Sequence, residues 1–361
     1  MKKRILINTG GGDAPGLNAV IRAIVLSALN RGWEAYGIRR GYDGLFFEGG
    51  LVRLTRDAVR GITHLGGTIL GTSNRGNPLN TPVTLPDGTV TTRDRSAEII
   101  AAVRDGGFDG LIAIGGDGSL HIASHLYDQG LPVIAVPKTI DNDLSATAVT
   151  FGFATAVETA TDAIDKLHST AEAHQRVMVV ELMGRHVGWI ALHAGIAGSA
   201  DVILIPEIPY DLDRVCQKIQ QRYSRGREFA IVVAAEGAFP MGGEPEFKEK
   251  ARPGAAARYG GVAEILAAEI AEVTGRETRS LVLGHLQRGG APTAVDRVLA
   301  LRFGADAVEF AAENKWGCMV AINPPRVDAV PIREAVASLK MVPADGDLVR
   351  TARALGMSFG D

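Results

Sequence analysis

The chain alternates short apolar runs with longer stretches in which apolar residues recur every three or four positions. Residues 5–7 form one such run, glycines fill residues 10–16, and residues 19–29 carry helical spacing, which predicts strand, turn and helix in succession. The order recurs. Residues 111–114 lead into Gly115-Gly116-Asp117-Gly118-Ser119, a helical stretch runs on to Tyr127, and another strand covers 133–136 before Pro137. Further strands are predicted at 177–181, 202–205, 231–236 and 281–283, with helices at 154–167 and 261–274 among the segments between them. Short buried strands alternating with helices predict an α/β fold on a parallel sheet covered on both faces.

At about 150 residues per domain, 361 residues suggest two domains, with borders expected near residue 150 and again near 265. Residues 77–92, with an Asp87-Gly88 turn, and residues 239–254, dense in Pro, Gly and charge, read as surface excursions rather than linkers. No fixed repeat appears, which argues against a solenoid or propeller. Hydrophobic residues at 46% and charged residues at 22% exclude disorder. Lys and Arg total 38 against 41 Asp and Glu, a net charge of −3, so no basic field calls for a nucleic-acid partner.

The basic residues 1–4 precede only three apolar ones, too few for a signal-peptide core. The most apolar later stretch, 188–206, carries His193 and Asp201 and falls short of the roughly 20 apolar residues of a membrane span. A cytoplasmic protein without membrane contact is expected. Cys216 and Cys318 form no paired motif and read as structural thiols in a reducing compartment.

Candidate chemistry sits where strands end. Glycine turns at the carboxyl ends of parallel strands let backbone N–H groups approach a ligand, and the next helix aims its positive end at the same spot. Two such turns suggest a polyphosphate. The first, Gly10-Gly11-Gly12-Asp13-Ala14-Pro15-Gly16, matches neither the Walker nor the dinucleotide spacing, so a plain tight turn stays open for it. In the second, Asp117 among Gly115, Gly116 and Gly118 offers a carboxylate to Mg²⁺ while the glycines admit phosphate oxygens, and Ser119 can cap the helix. A capped turn with a solvated Asp is the plainer alternative. The third segment, Pro137-Lys138-Thr139-Ile140-Asp141-Asn142-Asp143, sets two carboxylates two residues apart behind a cation. Asp141 and Asp143 suit the base that takes a hydroxyl proton and the acid that orients a metal.

These two segments together resemble the phosphofructokinase family, and the resemblance continues through residues 9–16, 66–71, His174-Gln175-Arg176, Met183-Gly184-Arg185, Glu236, 275–279 and 284–290. It covers nearly the whole chain and is weakest after residue 320. It implies two similar three-layer α/β/α domains with mostly parallel sheets and the active site in the cleft between them. Residues 1–150, completed by segments from about 265 onward, would bind ATP and Mg²⁺, and residues 151–265 would bind the sugar phosphate. The implied reaction moves the terminal phosphoryl group of ATP to the 1-hydroxyl of fructose 6-phosphate.

By the same resemblance Asp141 is the proton acceptor, Asp117 the Mg²⁺ ligand, and Gly12, Gly116, Gly118 and Ser119 part of the donor site. Thr139, Ile140, Met183, Gly184, Arg185, Glu236, Arg279, His285 and Arg288 would surround the sugar phosphate. Arg176 would reach a neighbouring subunit's site in a homo-oligomer, a dimer or tetramer. The residue types agree with this, since a dianionic phosphate calls for guanidinium forks and Arg185 can stabilise charge on the moving phosphoryl oxygens.

The donor is carried by two positions. Pyrophosphate-using relatives typically have Asp where this chain has Gly118 and Lys where it has Lys138, whereas many bacterial ATP enzymes have Gly at both. Gly118 leaves room for an α-phosphate and favours ATP, with pyrophosphate the alternative donor. Asn74 falls where ATP-dependent members often have a donor-binding Arg, and Arg75 follows one residue late. Arg22 matches an effector-binding arginine, but Leu26 replaces the next, so weak or absent allosteric control is expected. Another kinase with the same glycine turn, of the NAD kinase or diacylglycerol kinase type, lacks the segment at 137–143. A noncatalytic sensor would lack an acid that is present here. His121 and His125 are four apart without the intervening Glu of zinc hydrolases, and His186 and His193 lack a third ligand, so both pairs read as packing or surface residues.

Overall fold

The computed structural model describes residues 2–73, 77–249 and 258–361. The chain begins β1 (Arg4–Thr9), α1 (Leu17–Asn30), β2 (Glu34–Ile38) and β3 (Leu51–Leu54), followed by a hairpin of β4 (Thr81–Thr84) and β5 (Val90–Arg93). It continues α2 (Ser96–Asp105), β6 (Gly110–Gly115), α3 (Asp117–Asp128), β7 (Val133–Thr139), β8 (Phe151–Gly152) and α4 (Phe153–His174). Next come β9 (Val177–Leu182), α5 (Trp189–Ala197), β10 (Val202–Leu204), α6 (Leu212–Ser224) and β11 (Ala230–Ala235). A small pair, β12 (Phe247–Glu249) and β13 (Arg258–Tyr259), precedes α7 (Val262–Thr274) and β14 (Thr278–Val282). The chain closes with α8 (Ala294–Ala312), β15 (Cys318–Asn323), β16 (Arg326–Pro331), α9 (Ile332–Ala335) and α10 (Asp347–Ala354).

Two sheets organise these elements. The larger runs β16-β15-β7-β6-β1-β2-β3, with β8 also pairing β7; β2–β3 and β15–β16 are antiparallel and the other pairs parallel. The smaller, β10-β11-β9-β14, is parallel throughout. Alternation along each strand sends residues to opposite faces. Ile5, Ile7, Ile112 and Ile114 join Ile21 and Ile24 of α1 and Phe303 of α8 in one core. Leu6, Leu111, Ala113 and Val133 join Ile99 of α2 and Leu120 of α3 on the other side. In the second sheet Val180, Leu182, Ile231 and Val233 pack on α4 and α5, whereas Val177, Val179, Val202 and Val232 pack on α6 and α7. Burial on both faces explains why these strands read as continuous apolar runs. The result is two α/β/α units, as the resemblance implied.

The border expected near 265 is displaced. Helix α7 packs on the second sheet and β14 pairs β9, so the chain returns to the first sheet only after Val282. A third crossing was not expected at all: beyond α9 the chain passes back to the second sheet, where Ile203 N–H donates to the Ser358 carbonyl at 2.8 Å. The strand expected at 281–283 is the carboxyl half of β14, and the excursion at 77–92 folds into the β4–β5 hairpin.

Candidate functional site

Strands β7, β6 and β1 are adjacent and parallel, so the three segments singled out in the sequence emerge side by side at one sheet edge. Gly10 N–H donates to the Ile114 carbonyl at 2.9 Å, closing the first glycine turn onto the second. Ser119 lies under both, since a Cβ on Gly10 would stand 2.7 Å from its Oγ. Gly12 lies against Arg288: a Cβ there would stand 2.8 Å from its Nη1, which donates to the Asp13 carbonyl at 3.1 Å. Lys138 is only 3% exposed and donates to the Gly12 carbonyl. Burial pulls its amine down to about 8 and Arg288 adds to this, against Asp13, Asp141 and Asp143. Among the described residues, a Cβ on Gly118 would meet nothing within 4 Å beyond its own helix.

The loop after β7 carries the paired acids. Thr139 Oγ1 accepts from Asp141 N–H at 3.1 Å, and Asn142 between the two acids adopts a left-handed φ of 53°. Asp143 Oδ1 is buried and meets no hydrogen-bond partner among the described residues. Burial, then Asp141, push its carboxyl up to about 6, with Asp117 contributing. Asp117, 35% exposed, has His121 Nδ1 at 3.3 Å from its Oδ1.

The second sheet aims its carboxyl ends at the same loop. Arg185 follows β9 and Glu236 follows β11, their Nε and Oε1 3.7 Å apart. Burial pushes Glu236 up to about 7 against the pull of Arg185, and Asp141 pushes the same way from across the cleft. Gly184 turns there at a φ of 145°, where a Cβ would stand 2.7 Å from the Val187 carbonyl. His285 and Arg288 lie on the 3-10 turn Gly284–Arg288 beyond β14, with His285 exposed. Ile140 and Met183 face differently from the expectation: both side chains belong to the apolar core under α4 and α5, which leaves their backbone for the cleft.

Arg279 is not with the other residues expected around the sugar phosphate. It pairs with Met178 in register, near the amino end of the sheet, where Arg176 and Arg279 both hold Glu277 Oε1, at 2.9 and 2.6 Å. From Met178 to Met183 the strand advances about 17 Å, so Arg279 and Arg185 occupy opposite ends of the sheet. Asn74 and Arg75 lie outside the described residues.

Against known proteins, the phosphofructokinase pattern matches residues 4–311. The chain belongs to the phosphofructokinase family. An ATP-dependent 6-phosphofructokinase of Chloroflexus aurantiacus is 48% identical over 362 residues, covering 100% of this chain and 98% of that protein. A pyrophosphate--fructose 6-phosphate 1-phosphotransferase of Amycolatopsis mediterranei is 49% identical over 346 residues, covering 95% and 97%. Among solved structures, the T-state phosphofructokinase of Pichia pastoris superposes with a TM-score of 0.80 at 31% identity, over 98% of this chain; this chain spans 36% of that one.

Within this phosphofructokinase, some residues near the cleft carried no sequence signal. Asp13 sat unremarked in the glycine turn, and Lys340, in the segment that resembles the family least, reaches the acid loop. The histidines have separate settings: His121 bonds the Asp117 carbonyl, His125 meets Gln129, and His186 and His193 make edge-to-face contacts with Tyr259 and Phe153. No three His, Cys, Asp or Glu side chains among the described residues are grouped to hold a metal. Arg22 donates to the Val59 carbonyl at 2.8 Å. No helix among the described residues is long and apolar enough to cross a membrane.

Proposed function

We propose that this phosphofructokinase transfers the terminal phosphoryl group of ATP to the 1-hydroxyl of fructose 6-phosphate, giving fructose 1,6-bisphosphate. One observation carries the reading: the loop bearing Asp141 and Asp143 lies between the glycine turns of the first sheet and the Arg185–Glu236 edge of the second. The first unit then takes the donor and the second the sugar. Asp141 accepts the hydroxyl proton as the oxygen bonds phosphorus and the bond from phosphorus to the leaving phosphate oxygen breaks. Arg185 is exposed toward the cleft and supplies positive charge to the moving oxygens, while Lys138 and Arg288 offset the charge of the phosphates.

The acids fit Mg²⁺. Among the described residues Asp143 Oδ1 meets no partner, and Asp117 is accessible, so the two carboxylates suit an ion that takes one or two carboxylates plus substrate phosphates. When bound, the ion neutralises charge on those phosphates. Arg176 and Arg279, far from their own cleft, serve the sugar phosphate of a neighbouring subunit in this reading.

Open space at Gly118 supports ATP. Buried Lys138 at the Gly12 carbonyl supports pyrophosphate as the second reading, and relatives named for either donor match about equally well. Initial rates of bisphosphate formation with ATP and with pyrophosphate, each with Mg²⁺, decide the matter. A higher kcat/KM with ATP is expected; a higher value with pyrophosphate overturns the donor assignment, and no product with either overturns the reaction.

A further inference from the structure

We propose that Lys340, on the segment that crosses from α9 to α10, is a positioning residue that holds the acid loop in its reactive shape; this deepens the phosphoryl-transfer reading and rests on it. The segment lies beyond the residues the family pattern covers. Lys340 N–H donates to the Asp143 carbonyl at 2.8 Å. Its Nζ donates to Asn142 Oδ1 at 2.8 Å and to the Thr147 and Ala148 carbonyls, both at 3.1 Å. Asn142 Oδ1 also accepts from Thr150 N–H at 3.2 Å, so both ends of the loop are tied through one amide held left-handed between the two acids.

The same segment grips the other side of the cleft. Trp189 Nε1 donates to the Lys340 carbonyl at 2.7 Å, and Glu207 accepts from Val342 N–H at 2.9 Å and from Gly188 N–H at 3.1 Å, three residues past Arg185. One strap therefore sets the spacing between the acid loop and the turn that presents Arg185. The charged or titratable groups facing the Lys340 amine are Asp143 on the loop and His193 on α5. The amine is half-buried and spends its donors on three oxygens of this one loop.

Replacing the amine by an apolar chain of similar length removes the donor to the Thr147 and Ala148 carbonyls and one of the two donors to Asn142 Oδ1, which loosens the left-handed turn. A displacement of about 1 Å at reacting groups costs on the order of 100-fold in rate. Since the Lys340 side chain hydrogen-bonds, among the described residues, only to the loop at 142–148, the loss is expected in kcat.

The test compares parent, Lys340→Met and Lys340→Arg by steady-state kinetics per folded subunit, with thermal melting confirming the fold. Lys340→Met is expected to lower kcat by roughly 10- to 100-fold with both KM values within about threefold, and Lys340→Arg to recover most of the loss. If Lys340→Met does not fold, Lys340→Gln, which keeps a donor for Asn142 but no charge, takes its place with the same expectation. A kcat within twofold of parent, a loss confined to KM, or an arginine variant no better than the other overturns the positioning role alone. A parent inactive with both ATP and pyrophosphate overturns the transfer reading, and this role with it.

Discussion

Gly118→Asp tests the donor assignment most directly. The position lies in the first turn of α3 and is exposed, and among the described residues a Cβ there would meet nothing within 4 Å beyond its own helix backbone and chain neighbours. Its φ is outside the left-handed region, so the side chain enters without backbone strain. Asp is no worse a helix former than Gly, and an acid near a helix N-terminus adds about 0.3–1 kcal/mol, so the fold should not suffer. Loss of activity then reports on ligands. A carboxylate about 4 Å from an α-phosphate charge is repelled by about 1 kcal/mol in a water-like medium and about 4 kcal/mol at an effective dielectric of 20. The exposed position lies between these limits, at about 2 kcal/mol, or roughly 30-fold. Pyrophosphate has no α-phosphate to repel. The new charge also sits beside Asp117, but that affects both donors, so the informative quantity is the ratio of the two kcat/KM values. Coupled assays on parent and variant should show that ratio shifting from ATP toward pyrophosphate by roughly 10- to 100-fold. An equal loss with both donors refutes the steric and electrostatic argument.

Asp141→Ser should reduce kcat by roughly 100-fold or more with KM for fructose 6-phosphate changed only a few-fold, because a missing base raises the barrier more than it weakens ground-state binding; unimpaired turnover under single-turnover conditions refutes the base assignment. Arg176→Ala and Asp141→Ser, each nearly inactive alone, should regain activity when dissociated and reassembled together, since mixed oligomers would contain sites with both residues intact; no recovery places Arg176 outside the neighbouring site. Glu236 titrates at about 7 in the fold against an ordinary 4.5, so the folded state binds more protons than the unfolded one between those values and stability falls as pH rises through the window. Thermal melting of the ligand-free protein from pH 5 to 8 should show Glu236→Gln flattening that fall by on the order of 2 kcal/mol, and an unchanged slope refutes the buried, protonated carboxyl.

What the sequence shows and what it hides divide along a physical line. The turns at Gly12, Gly116 and Asp117 and the acids at Asp141 and Asp143 were legible because each is a local device: a strand ends, glycines admit an approach, and neighbouring residues carry the charge. Their assembly followed once β7, β6 and β1 were adjacent and parallel. The buried strands were legible for a related reason, since burial on both faces writes an apolar run. Strands β2, β3, β15 and β16 were missed. Three of them carry exposed or half-buried alternate residues, and β15 lies in the region that resembles the family least.

Arg279 shows where local reading stops. Its segment adjoins the one bearing His285 and Arg288, and adjacency in sequence suggested a shared pocket. Along an extended strand, though, about nine residues are enough to cross a sheet from one edge to the other. The register of β14 against β9 therefore decides the matter, and it puts Arg279 opposite Met178, beside Arg176, with Glu277 between the two guanidinium groups. Two arginines sharing a single exposed carboxylate leave positive charge facing outward at an edge their own cleft does not use. That surplus is the structural reason to place them at another copy's phosphate, and it means that the pair should act together: if Arg176 serves a neighbouring subunit, Arg279 must do so as well. A complementation experiment in which Arg176→Ala recovers with the Asp141→Ser partner but Arg279→Ala does not would contradict the register argument itself, because no side-chain movement could return Arg279 alone across the length of its strand.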